Sequence, residues 1–230
     1  FNGVLQVEWD PMASTTMLGL LPFFVEYLKL GGLFTNWVER CPIEYKSPNS
    51  PSVRDLLGTV LLSTLSGHKR YAHITALRYD DVSAQLLGMN RILSEDAVRR
   101  GLSKIEEISG RKWLTDELRN SYYPLLNEPW ILDVDTTVKV LYGKQEGAEI
   151  GYNPHKPGRP SHTYHTYFMA NLRLVLDVEV QSGKHMAGSY SAPGLWEILE
   201  SLPATHRPSF IRGDCAFGNE AIMLSAEEHN

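Results

Sequence analysis

The stretch Trp130-Ile-Leu-Asp-Val-Asp-Thr-Thr-Val-Lys-Val-Leu-Tyr142 constrains the fold more than any other part of this chain. β-Branched and aromatic side chains dominate it, which is the pattern of a strand. Asp133 and Asp135 lie two apart, so on a strand both leave the same face, with Cα atoms about 6.7 Å apart. Ile131, Leu132, Val134, Val138 and Val140 make the strand otherwise largely apolar. A carboxylate in such surroundings needs a metal ion, a cationic partner or several hydrogen-bond donors to offset its desolvation. From these residues alone, a metal-binding pair and a pair neutralised in another way stand level.

Two further strands are predicted over residues 163–170 and 173–180, then a helix over 192–202, a short strand over 209–214 and a final helix-like segment over 218–230. Upstream of residue 129 helical signals dominate. Ser50 reads as an N-cap with Pro51 at the first helical position, and Leu56, Leu57, Val60, Leu61 and Leu65 follow with a period near 3.6. The expected class is therefore mixed α/β, with a helical region at 1–128 and a sheet-containing region at 129–230. Residues 143–162, with Gly143, Gly147, Gly151, Pro154, Pro157, Gly158 and Pro160, read as one long loop.

Composition narrows the function classes. Of 230 residues, 43% are hydrophobic and 21% charged, enough apolar material for a core and too little charge for a disordered chain. The apolar stretch 17–34 is broken by Glu26, Lys29 and Gly31-Gly32, which predicts a buried helix rather than a membrane span. Cys41 and Cys215 are too few for a disulfide framework and favour a reducing compartment. The start at Phe1 and the uncovered apolar positions Ala221, Ile222 and Leu224 predict a piece of a longer protein.

Asp214 closes the later short strand in Arg-Gly-Asp-Cys-Ala-Phe-Gly, the position just past a strand's carboxyl end where α/β folds place functional side chains. If that strand runs parallel beside the first, Asp135 and Asp214 converge. Taken alone, an aspartate after a glycine suits a turn or a helix cap better than a metal site. Asp177 and Glu179 read as the solvated face of a hairpin, and Glu197 and Glu200 as solvent-facing. His155, His162 and His165 make a poor zinc site, because residues 162 and 165 on a strand face opposite ways. No Gly-x-Ser-x-Gly elbow, P-loop or GxGxxG is present.

Several motifs in order resemble an insertion-sequence transposase of the DDE type: Asp133-Val-Asp-Thr-Thr137, Gly151-Tyr-Asn-Pro-His-Lys-Pro-Gly-Arg-Pro-Ser-His162, Tyr167-Phe-Met-Ala-Asn-Leu-Arg173, Ser191-Ala-Pro-Gly-Leu-Trp196 and Arg212-Gly-Asp-Cys-Ala-Phe-Gly-Asn-Glu220. The resemblance spans about residues 65–230 and is strongest after 129. It implies an RNase H-like core, with three antiparallel strands followed by a parallel one and flanking helices, behind a helical N-terminal region. It assigns Asp135 and Asp214 as catalytic, metal-binding aspartates and makes Asp133 a supporting neighbour. The family's third carboxylate, a glutamate on a later helix, has no counterpart before Asn230, so a chain of this extent is expected to bind metal poorly and to be inactive alone. The implied cofactor is Mg²⁺ or Mn²⁺, since hard oxygen ligands suit these ions, and the implied reaction is phosphodiester cleavage and strand transfer. The implied partner is double-stranded DNA, with a homodimer and a bacterial cytoplasmic, nucleoid-associated setting by resemblance only.

The net charge of −5 does not exclude DNA, because phosphate contacts come from local cations. Lys144, Lys156 and Arg159 supply them in the long loop. Residues 81–104 read as helix, turn, helix with Ser94 as N-cap; as a helix-turn-helix they would direct Arg99, Arg100 and Lys104 at DNA, and as two packed helices they would leave those charges in solvent. A metal-dependent nuclease without transposition and a non-catalytic DNA-binding or assembly protein remain alternative readings.

Overall fold

The computed structural model describes residues 8, 10–80, 82–153, 155–185 and 187–228. Asp81 of the expected helix pair, Pro154 of the expected loop and the end of the last helix at 229–230 therefore lie outside the described residues. The chain divides into two compact units, Phe1–Glu117 and Leu118–Asn230.

The first unit is helical. The apolar stretch expected to form one buried helix makes two, α1 (Leu21–Leu30) and α2 (Leu33–Glu39), because Gly32 takes the left-handed φ of 68° between them. Val25 is the one fully buried residue of α1, whereas Phe23, Phe24, Tyr27 and Leu30 stay exposed. Helix α3 (Val53–Leu65) starts two residues later than the sequence suggests: Ser52 Oγ, not Ser50, accepts from Asp55 N at 3.0 Å. Leu56, Leu57 and Leu62 of α3 pack with Val98 in a core that also holds Phe34, Ile74 and Trp113.

Helix α4 (Ile74–Leu77) and the five-residue α5 (Val82–Leu86) precede α6 (Glu95–Leu102). Ser94 caps α6 as expected, accepting from Ala97 N at 3.3 Å. The connection from α5 to α6 spans residues 87–94, well beyond the three to four residues of a helix-turn-helix, so the short turn expected there is not formed. Buried polar groups on α3 explain why. Asp55 accepts from Asn90 N at 2.7 Å and Thr59 Oγ1 from Leu93 N at 3.0 Å, which ties the connection to α3 in extended form. Helix α7 (Glu107–Tyr122) completes the series. No helix among the described residues is long and apolar enough to cross a membrane.

The second unit is built on a mixed sheet. Strand β1 (Ile131–Val140) pairs antiparallel with β3 (Pro160–Met169), from Leu132↔Met169 to Val140↔Ser161, and β3 pairs antiparallel with β4 (Leu174–Ser182). The two-residue β2 (Glu149–Ile150) also pairs with β3, so the expected long loop is shorter than read: it gives up β2 and the first residues of β3. After α8 (Ala187–Glu200) the chain enters β5 (Phe210–Gly213), which lies on the other side of β1 and runs parallel to it. Helix α9 (Glu220–Glu228) follows. The five-stranded sheet is therefore a three-stranded antiparallel meander, β1, β3 and β4, with the short β2 also on β3 and one parallel strand, β5, on the far side of β1.

Alternation sorts β1. Leu132 and Val134 are buried against Tyr167, Met169, Leu195 and Phe217, while Asp133 and Asp135 leave the opposite face. Trp130 anchors the strand's start, 1% exposed, with its Nε1–H donating to His206 O at 3.0 Å.

Candidate functional site

The register of the two parallel strands defines the site. Pairing runs Leu132↔Ile211, Asp133↔Arg212 and Val134↔Gly213, and the next residue on each strand is Asp135 and Asp214. Adjacent strands lie about 4.8 Å apart, so the register carries the two aspartates out at neighbouring positions on the face opposite Val134. Gly213 is required locally, because a Cβ there would meet the Phe217 ring and Cβ at 3.0 Å. Asp214 caps the short turn Cys215–Phe217, its Oδ1 accepting from Ala216 N at 2.9 Å, and is exposed. Asp135 is exposed as well, and among the described residues no side chain bonds its carboxylate.

Asp133 has a different environment. Arg212, directly across on β5, donates to both of its carboxylate oxygens, through Nε to Oδ1 and through Nη2 to Oδ2 at 2.7 Å. That bidentate hydrogen bond holds the Asp133 carboxyl below the usual aspartate range. The need for a partner that the sequence poses is thus met by a cation, and Asp133 is not a bare group beside Asp135.

On the covered face, Thr136 Oγ1 lies 3.3 Å from Nδ1 of the fully buried His165, whose Nε2 lies 3.2 Å from Thr163 Oγ1. Glu179 is also buried, against the sequence expectation of a solvated hairpin face; its Oε2 accepts from Tyr167 OH at 3.3 Å and Gln181 Nε2 at 3.4 Å. The cause is an irregularity in β4. Tyr167 pairs with Asp177 but Phe168 with Val175, so one residue is skipped and the inward set shifts from Leu176 to Glu179. His162 leaves the other side of β3 and bonds Glu146 O at 2.8 Å. Among the described residues no group of three or more His, Cys, Asp or Glu is placed to hold a metal.

Burial, the largest effect on it, pushes the His165 pKa below the usual histidine value, while Glu179 opposes the shift. The unfolded chain then binds the proton more readily, so this stabilisation is complete above about pH 6.5 and is lost as pH falls from there through the folded pKa. Melting temperature is expected to drop between pH 7 and 5, and His165→Gln should flatten that part of the profile. An unchanged slope in the variant would remove His165 as its source.

The expected DNA-contacting residues fall in separate places. Lys156 Nζ and Arg159 Cζ lie 5.2 and 5.7 Å from the ring centre of Tyr142, which is 70% exposed, and Lys156 also donates to its hydroxyl. That interaction pulls the Tyr142 pKa down. Lys144 is exposed and is not part of this cluster. In the helical unit Arg99 stands over Tyr71 at 5.5 Å and Lys104 over Tyr45 at 5.0 Å, and Arg100 is exposed. The supporting rings at 71 and 142 carry no periodic signal and are legible only once folded.

No protein-family model matches the chain, and no curated protein does. Among solved structures the chain is similar to the crystal structure of the mariner Mos1 paired end complex with Mg, at 15% identity and a TM-score of 0.29. The match covers 82% of this chain and 61% of that one, so the chain spans less than two thirds of that protein's length. At this TM-score the likeness carries no argument about fold or site.

Proposed function

We propose that this chain is part of a DDE-type transposase with an RNase H-like core, acting on duplex DNA by metal-dependent phosphodiester cleavage and strand transfer. One observation carries the reading. The parallel pairing of β1 and β5 ends at Val134↔Gly213, so Asp135 and Asp214 emerge side by side, both exposed and neither held by a cation among the described residues. The order of a three-stranded meander followed by a parallel strand on the far side of β1 supports the RNase H-like assignment.

The donor set fits Mg²⁺ or Mn²⁺. Both side chains offer hard oxygens, and Mg²⁺ is commonly held by one or two carboxylates together with substrate phosphates and water. When bound, such an ion polarises a phosphoryl oxygen and lowers the pKa of a coordinated water. Asp135 and Asp214 would bind it, and Arg212 keeps a third negative charge, Asp133, neutralised beside them. The capping bond from Ala216 N occupies Oδ1 of Asp214. No side chain here needs to act as a covalent nucleophile.

The test is cleavage of duplexes carrying insertion-sequence ends in the presence of Mg²⁺ by the chain joined to a C-terminal segment that supplies a third carboxylate, scored for nicked and strand-transferred products. Cleavage without transfer would instead identify a metal-dependent nuclease. No metal binding and no DNA binding would defeat both readings. For the loop, Lys156→Glu with Arg159→Glu is expected to weaken duplex binding. The dependence of log K on log salt should become shallower by roughly 0.9 for every phosphate that these cations neutralise in the parent chain. An unchanged salt slope would take the loop out of the DNA surface.

A further inference from the structure

The helical unit contains a concavity of about 220 Å³ whose polar wall is Ser63, Thr64, His68, Lys69, Arg70 and Tyr71. Its geometry starts at the end of α3. Gly67 takes a left-handed φ of 74°, its N–H donates to Thr64 O, and His68 N donates to Ser63 O, both at 3.0 Å. These two bonds satisfy the last carbonyls of α3 and turn the chain back, so that His68, Lys69 and Arg70 follow at once beside the helix end. His68 is held there by Ser63 Oγ, 3.1 Å from its Nδ1. Arg99 of α6 does not line the hollow but stands 5.5 Å over the ring of Tyr71, which does.

Among the described residues the cations at this hollow make no ion pair. Residues 67–79 contain Lys69, Arg70 and Arg78 and no acid, in a chain whose net charge is −5. Lys69, Arg70 and Arg99 are exposed, and none of the ion pairs among the described residues includes them. Cations next to a helix C-terminus have an ordinary explanation in the helix dipole. That explanation does not cover the grouping of hydroxyls, imidazole and two cations about one hollow. The volume is below the 300–1,000 Å³ of pockets for drug-sized ligands, and suits a compact anion.

We propose that this concavity is a phosphate-binding site that holds a backbone phosphodiester group of duplex DNA through Lys69, Arg70 and His68. The phosphate chemistry follows from the residues; DNA as its source rests on the function proposed above. None of the three stands in the helix pair that the sequence singles out for DNA.

The test uses the 230-residue chain and its Lys69→Ala/Arg70→Ala variant, whose exposed side chains can be removed without loss of core, as a thermal melt would confirm. With a 20-base-pair duplex, the variant's slope of log K against log salt should be shallower by roughly 1.8, with at least a tenfold loss of affinity at low salt. Lys69→Arg should retain the slope. In parallel, tripolyphosphate is titrated while the ring signals of His68 and Tyr71 are followed by NMR. Unchanged duplex affinity and slope in the double variant would overturn the site while leaving the transposase reading intact. Tripolyphosphate shifts present in the parent and absent from the variant, without any duplex binding, would keep the phosphate site and remove DNA as its source. If neither probe binds, the site is refuted.

Discussion

Asparagine at position 135 or at position 214 is expected to abolish the weak Mn²⁺ binding of the chain, and metal-dependent DNA cleavage by any active form of it, while leaving the fold intact. Both carboxylates are exposed and no described cation neutralises either, so their removal costs the core nothing. Asn at 133 should have a smaller and different effect. It strips Arg212 of its partner and leaves an uncompensated guanidinium on the same sheet face, which repels a divalent cation. The expected loss is roughly the 10 to 100-fold of a supporting group. If that is the cause, the double variant Asp133→Asn/Arg212→Gln should bind Mn²⁺ better than Asp133→Asn alone, since the unpaired charge is gone. Electron paramagnetic resonance of free Mn²⁺ reads all four proteins. A folded Asp133→Asn that binds nothing, beside an Asp135→Asn that binds normally, would invert the assignment.

β1 and β5 are legible as strands in the sequence because both carry local signals, whereas their parallel pairing enters there only as a condition or as what the resemblance implies. β1 alternates apolar and polar residues, and β5 ends in a glycine and an aspartate that caps the next turn. The partner of Asp133 is not legible. A strand of four exposed residues has no periodicity to assign a face, so nothing places Arg212 beside Asp133 until the register with β1 is known. Glu179 is misplaced by the sequence pattern for a similar reason: one skipped residue on β4 inverts the face of everything beyond it, and alternation cannot show where the skip falls. Helix α8 is expected over 192–202, yet it begins at Ala187 and runs through Pro193. In the helical unit the turn between α5 and α6 depends on Asp55 and Thr59, more than 30 residues upstream in sequence, which no local pattern reveals.

Gly151→Ala is expected to unlatch the segment that carries Lys156 and Arg159. The position reads as an ordinary loop breaker in the sequence, and its φ is not in the left-handed region, so alanine is compatible with the backbone angles alone. The obstacle is proximity. A Cβ at 151 would run into the carbonyl of Gly183, just past the end of β4, and one at Gly183 would in turn meet the Glu149 and Ser161 carbonyl oxygens. These are backbone atoms of paired strands, so relief requires parting β2 and the chain after it from the end of β4, not a rotamer change. Overpacking of this kind typically costs about 1–3 kcal/mol. The strain falls on a two-residue strand, so the cheapest relief is local opening, and amide exchange over residues 149–161 should accelerate by at least tenfold even where the global melt moves little. Duplex binding should weaken together with it, because Lys156 and Arg159 are then no longer held over the Tyr142 ring. Normal exchange rates in Gly151→Ala would mean that the approach to Gly183 does not hold the segment. Faster exchange with unchanged duplex affinity would mean that the latch is real and the segment does not touch DNA.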